Sequence, residues 1–281
     1  MTDQQPITFE AVAALHAPPP TLTEAYGARP QQFGRLRLPR GAGPFPVIVY
    51  VHGGCYQASY SINHAASVEQ AFADAGYAVW SLEYRRVGDP DGGWPGTFQD
   101  IGAGADHLRD LASRYPLDLT RVVSIGHSAG GNSALWLAAR SRIASSSALH
   151  VATPLAIHGV VALAPAGDFV EMHAKDGCSG IMEPLMGGSP STVPDRYQAA
   201  SPGALLPIGV PQAIVIAERD DGFRDFGRSY AAKARAAGEA RLEVIEAPGA
   251  GHFDVAAPVT TAWPRVLHAV QGVFAQLGRK R

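Results

Sequence analysis

Gly126-His127-Ser128-Ala129-Gly130 sets a serine between glycines, directly after the apolar run Val122-Val123-Ser124-Ile125 and directly before a helical stretch. A serine in so sharp a strand-to-helix turn projects its hydroxyl, and only small neighbours fit around the turn. The helix N-terminus behind Ser128 favours negative charge at a reacting centre. Such a hydroxyl suits attack on an acyl carbon, provided that a base takes its proton. A second small-residue loop, His52-Gly53-Gly54-Cys55-Tyr56-Gln57, follows the apolar run ending at Val51. Backbone N–H groups of Gly53, Gly54 or Cys55, with that of Ala129, are the candidate donors for an oxyanion.

The base should be a histidine oriented by a carboxylate. Among ten histidines, His252 stands in Pro248-Gly249-Ala250-Gly251-His252-Phe253, a turn after the last strand-like run. His52 and His127 belong to the loops above, while His64 and His107 have no zinc-ligand pattern nearby. The acid is sought after the preceding strand, where Glu218, Asp220 and Asp221 lie within four residues. Asp220 is the choice and Asp221 the reserve. From Asp220 to His252 there is room for one helix and one strand, which returns the histidine to the same end of a sheet. The order Ser128, Asp220, His252 agrees with this architecture. Tyr56, Tyr60, Trp94 and Met182 are the candidates to line a substrate pocket.

These side chains need a rigid frame. Apolar, β-branched runs at 45–51, 77–82, 121–125, 157–162, 212–217 and 241–246 alternate with helical stretches at 65–75, 97–114, 132–140, 223–237 and 262–277. That alternation is the pattern of βαβ units and a mostly parallel sheet. The segments 7–16 and 33–38 alternate apolar with polar residues and read as antiparallel strands added at one edge. From 166 to about 210 there is no clean strand but many Gly and Pro, with Met172, Met182 and Met186, which reads as a small cap inserted in one domain spanning 1–281.

Composition narrows the classes. Of 281 residues, 46% are hydrophobic and 17% charged, and 23 basic against 25 acidic residues leave a net charge of −2, with no electrostatic case for nucleic acid. No apolar run approaches the roughly 18 residues of a membrane span. The opening residues lack the basic and apolar regions of a secretory signal. Two cysteines, Cys55 and Cys178, read as free thiols in a reducing, cytoplasmic compartment. Neither Gly102-Ala103-Gly104 nor Gly249-Ala250-Gly251 completes a dinucleotide fingerprint. No cofactor and no metal are expected, and the oligomeric state, monomer or homo-oligomer, is left open.

On these motifs the chain resembles an α/β-hydrolase of the esterase and lipase group with an HGG oxyanion loop, in the kynurenine formamidase-like and feruloyl-esterase-like bacterial branch. His52-Gly53-Gly54-Cys55-Tyr56-Gln57 is similar to the formamidase pattern H-G-G-Y-W-Q, with Cys55-Tyr56 in place of the aromatic pair. Glu83-Tyr84-Arg85-Arg86, Gly92-Gly93-Trp94-Pro95-Gly96-Thr97 and Ala200-Ser201-Pro202 are also similar to segments of these hydrolases, although Ala217 replaces their glycine ahead of the acid. The resemblance implies an eight-stranded, mostly parallel sheet with helices on both faces. It implies hydrolysis of a small-molecule ester through Ser128, His252, Asp220 and an acyl-enzyme. An aryl-formamidase or other amidase is the alternative within enzymes, and a non-catalytic small-molecule receptor is the rival outside them.

Overall fold

The computed structural model describes residues 5–277, so the first four residues of the opening stretch lie outside it. Eight strands, β1 (Leu22–Ala25), β2 (Phe33–Arg37), β3 (Phe45–Val51), β4 (Ala78–Leu82), β5 (Leu117–His127), β6 (Gly159–Leu163), β7 (Gln212–Ala217) and β8 (Leu242–Ala247), form one sheet in the order β1-β2-β4-β3-β5-β6-β7-β8. β1 pairs with β2, and β2 with β4, antiparallel; every other pairing is parallel. This is the α/β-hydrolase sheet, mostly parallel with an antiparallel edge.

The helices are α1 (Phe9–Ala13), α2 (Ala66–Asp74), α3 (Gly96–Asp106), α4 (Leu108–Ala112), α5 (Ala129–Ala139), α6 (Phe169–Ala174), α7 (Met182–Met186), α8 (Pro194–Ala200), α9 (Arg224–Ala236) and α10 (Trp263–Leu277). Period-two alternation along β3 divides the core between the two sheet faces. Val47, Val49 and Val51 join the cluster that includes α3, α5, α9 and the residues of α6–α8. Ile48 and Tyr50 join the one that includes α2 and α10, where the Phe72 and Trp263 rings lie 5.0 Å apart. Helices on both faces explain why the central strands are apolar without interruption.

Three expectations need correction. Segment 7–16 is not a strand: it contains α1, with the Thr8 side chain accepting the Ala11 N–H as an N-cap, and the edge strand is Leu22–Ala25 instead. The stretch 97–114 is two helices, α3 and α4, divided at His107. The cysteines are not free, because Cys55 and Cys178 form a disulfide. With it goes the ground for a reducing, cytoplasmic compartment. The stretch between β6 and β7 holds the short helices α6, α7 and α8. Among the described residues no helix is long and apolar enough to cross a membrane.

Beside the site, a buried ion pair holds the chain after β4. Asp100 of α3 accepts from Arg85 Nε at 2.7 Å and Nη2 at 2.6 Å, from the Arg85 N–H at 3.0 Å, and from Gln32 Nε2 at 2.6 Å. Removing the carboxylate strands a guanidinium in the interior. Asp100→Ala is therefore expected to lower unfolding free energy by about 3–5 kcal/mol in urea titrations; a loss below about 1 kcal/mol would contradict the account.

Candidate active site

Ser128 sits at the join of β5 and α5 with φ 57° and ψ −121°, a conformation that costs an L-residue about 1–3 kcal/mol. Its neighbours enforce it. A Cβ on Gly126 would lie 2.1 Å from the Gly130 carbonyl oxygen, and one on Gly130 would lie 2.0 Å from that of Val51. The Ser128 N–H donates to the Leu163 carbonyl at 2.8 Å, while its own carbonyl accepts the N–H groups of Gly131 and Asn132. The turn is thus locked between β3, β6 and α5.

The loop after β3 lies against this turn. A Cβ on Gly53 would be 2.7 Å from the His127 carbonyl oxygen and 3.2 Å from Ser128 Cβ, and Gly54 has φ +112° with Tyr60 packed over it. Only glycine permits that approach. Among the described residues, the N–H groups of Gly54, Cys55 and Ala129 donate to no protein acceptor. Ala129, as the first residue of α5, has no carbonyl one turn back to meet. The loop's base is held by His52, whose Nε2 donates to Glu83 Oε1 at 2.9 Å and whose ring stacks on Tyr84 at 4.5 Å. Glu83 also accepts the Ile62 N–H at 3.0 Å and pairs with Arg86 at 3.0 Å. Burial opposes its charge, yet the His52 bond and the Arg86 cation keep it below the usual carboxylate range.

His252 Nδ1 donates to Asp220 Oδ2 at 2.6 Å, which turns Nε2 away from the acid. Asp220 is buried at 7% exposure, and its Oδ1 accepts the Phe223 N–H at 3.1 Å. Glu218, the first acid of the cluster, accepts the Gly249 N–H at 2.7 Å and so holds the histidine's loop. Asp221 is 91% exposed and pairs with Arg224. His127 Nε2 donates to the His252 carbonyl at 2.8 Å and pins the loop from the other side.

Ser128 and His252 line one cavity of about 150 Å³, together with Gly54, Cys55, Phe9, Tyr60, His64, His127, Phe223 and Phe253. Of the four residues expected to line a pocket, Tyr60 is there and three are not. Tyr56 is fully buried, its hydroxyl donating to the Ala129 carbonyl at 2.9 Å and meeting Ser133 Oγ at 3.2 Å. Met182 packs within the core cluster beside the sheet. Trp94 lines a separate surface depression with Arg142 and Arg196, the latter stacked over its ring. Tyr56 and Met182 fill core rather than cavity, as apolar side chains usually do, whereas Trp94 faces a different depression.

Sequence reasoning missed Phe9, Phe223 and Phe253. Phe223 lies three residues after Asp220 and Phe253 directly after His252, which was a usable signal. Phe9 had none, because it comes from α1 and meets Tyr60 at 5.0 Å and Phe253 at 5.7 Å only through tertiary packing. Among the described residues no cluster of three His, Cys, Asp or Glu is placed to hold a metal ion.

The BD-FAE family model matches residues 36–231. The esterase LipI of Mycobacterium tuberculosis is 30% identical over 97 residues, which are 34% of this chain; the match spans only 30% of the length of that curated relative. Esterase B of Lactobacillus rhamnosis, solved with a C4-C4 tributyrin phosphonate, superposes with TM-score 0.78 at 21% identity, over 96% of this chain and 90% of its own. Esterase 2 of Thermogutta terrifontis, solved with butyrate bound, superposes with TM-score 0.71 at 18% identity, over 92% of this chain and 94% of its own.

Two histidines beside the cavity stay neutral in the folded protein. Burial drives the His64 imidazole down to about 3, with His52 adding repulsion, and burial with His252 nearby holds His127 well below the histidine range. Between about 6.5 and 3 the unfolded chain binds protons at these sites that the native state refuses, so stability falls as pH falls through that window. His64→Leu removes one such linkage. The drop in urea midpoint from pH 7 to pH 4 is expected to be smaller in His64→Leu than in the unsubstituted protein, and an identical drop would refute this.

Proposed function

Because the chain belongs to the BD-FAE family and lines one cavity with Ser128 and His252, we propose that it is a serine hydrolase cleaving carboxylic esters of small molecules with short acyl groups. The observation that carries the reading is the 2.6 Å bond from His252 Nδ1 to Asp220, which leaves Nε2 as the ring nitrogen not bonded to the acid, on a residue that lines the same cavity as Ser128. In this mechanism Ser128 Oγ attacks the ester carbonyl as His252 takes its proton, and Asp220 stabilises the imidazolium. The carbonyl oxygen gains charge against the N–H groups of Ala129 and of Gly54 or Cys55, with Gly53 keeping the approach open. His252 then protonates the departing alcohol, and water activated by the same imidazole hydrolyses the acyl-enzyme. No cofactor takes part in these steps.

The acyl length follows from the space. Phe9, Tyr60, Phe223 and Phe253 bound a cavity of about 150 Å³, small for a long alkyl chain. The tributyrin phosphonate on esterase B and the butyrate on esterase 2 both carry four-carbon chains, in keeping with a short acyl group.

A panel of p-nitrophenyl esters tests this. Acetate to butyrate should be turned over with kcat/KM at least about tenfold above octanoate, since one misfit methylene is worth roughly 1–3 kcal/mol. Ser128→Ala should lose at least about a thousandfold in kcat. Absence of turnover, or turnover that survives Ser128→Ala, would return the protein to the receptor reading, and faster cleavage of formyl-anilides would make it an amidase. Asp220→Asn is expected to lower kcat by about 10³–10⁴. Asp221→Asn, on an exposed side chain, should stay within about twofold, and the reverse order would reassign the acid.

A further inference from the structure

The Cys55–Cys178 bond joins segments 123 residues apart in the chain, and its two ends belong to different parts of the fold. Cys55 is in the loop that carries the oxyanion donors, where φ is +112° at Gly54, 50° at Cys55 and 56° at Tyr56. Cys178 lies between α6 and α7, where φ is 52° at Asp176, 56° at Cys178 and 54° at Ser179. Residues with a Cβ adopt such left-handed values only where their surroundings hold them. Among the described residues no hydrogen bond runs from 53–57 to 176–180, so the sulfur–sulfur bond is the direct link between them.

On its other side the donor loop is tied to the nucleophile's helix. The buried Tyr56 hydroxyl donates to the Ala129 carbonyl at 2.9 Å, one residue beyond Ser128. The loop is also tied to the chain after β4, where the Val87 N–H donates to the Tyr56 carbonyl at 2.9 Å, but all of these bonds hold Tyr56 and the residues after it, and the disulfide is the tie that acts at Cys55 itself. The disulfide is also reachable. Both cysteines are partly exposed; Cys55 borders the catalytic cavity and Cys178 borders an open cleft of about 560 Å³.

We propose that the Cys55–Cys178 disulfide is a positioning element for the oxyanion donors at Gly54 and Cys55, and that its reduction by a small dithiol lowers turnover. The proposal rests on the serine-esterase reading above. In the reducing step a thiolate of the dithiol attacks Cys178 Sγ from the cleft, and the sulfur–sulfur bond breaks to release Cys55 as thiolate. The second thiol of the reagent then displaces Cys178 from the mixed disulfide. The reagent leaves as a cyclic disulfide, two electrons having passed to the protein, and its two thiol protons end on Cys55 and Cys178. Once the tether is cut, the donor loop keeps its bonds to Ala129 and Val87 through Tyr56 and Ala58 but loses the constraint on Cys55, so the N–H groups of Gly54 and Cys55 no longer meet the developing oxyanion in fixed geometry.

The test compares the oxidised protein, the protein reduced with dithiothreitol and then freed of reagent under nitrogen, and Cys178→Ala, with p-nitrophenyl acetate as substrate. Thiol titration counts the sulfurs released, and thermal melts set an assay temperature at which every form is folded. Turnover by the oxidised protein, lost in Ser128→Ala, establishes the esterase reading first; its absence would refute that reading and not the tether. The tether predicts that kcat falls about tenfold in the reduced protein and in Cys178→Ala, less than the 10²–10³ for deleting a donor outright, with KM within about twofold. Re-oxidation should restore the first, and dithiothreitol should not change the second. Unchanged kcat after complete reduction would overturn the proposal, as would a loss of activity that only tracks the folded fraction. Should Cys178→Ala fail to fold, the reduced protein and its re-oxidation decide alone.

Discussion

The left-handed backbone at Ser128 is the constraint on which the rest depends. A serine at φ 57° and ψ −121° relaxes unless the chain on both sides is wedged, and here it is wedged by contact too close for any side chain. Gly126 and Gly130 meet over the turn, and Gly130 also lies against the Val51 carbonyl. The same closeness brings the end of β3 beside Ser128. Ser128 and the glycine loop after β3 are therefore positioned by one packing event, and strain at the turn is held by the parallel pairing of β3, β5 and β6.

Polar interactions then divide the labour around that turn. Each acid near the site has a different partner. Glu83 clamps His52 at the base of the glycine loop after β3, Glu218 fixes Gly249, and Asp220 is bonded to the His252 ring. His127 fixes the carbonyl of His252 rather than its ring. His252 thus sits in a loop restrained at both flanks, with its ring packed 4.6 Å from those of His127 and Phe223. On the proposed function this preorganisation is what makes oriented dipoles effective, because no reorientation is needed as charge develops.

The cavity itself is built from distant parts. Phe9 arrives from α1, Tyr60 from the turn after β3, Phe223 from the start of α9 and Phe253 from the loop after β8. Neutral His64 and His127 complete its wall without adding charge, since their burial disfavours the imidazolium. A small aromatic chamber that also holds the His252 ring is a consequence of this convergence, and α1 contributes to it although it lies outside the sheet.

The local pattern of the chain was enough to specify the alternation of strands and helices and the turn at Gly126–Gly130, and to single out Ser128, Asp220 and His252, of which Ser128 and His252 line one cavity and Asp220 is bonded to His252. These depend on period, glycine placement and chain order, which are written residue by residue. Segment 7–16 was misread because apolar alternation over ten residues also suits a short helix capped by Thr8, and only its packing against Tyr60 and Phe253 settles the choice. The lining of the cavity escaped for the same reason: Tyr56, Trp94 and Met182 are apolar or aromatic like Phe9 and Phe223, and chemistry alone does not say which of them faces space. The pairing of Cys55 with Cys178 is the extreme case. Two cysteines 123 residues apart carry no mark of whether they meet, and a bond forms only because the fold brings their Cα atoms to 5.7 Å. Periodicity is a property of neighbours along the chain; proximity across it is decided by packing the whole.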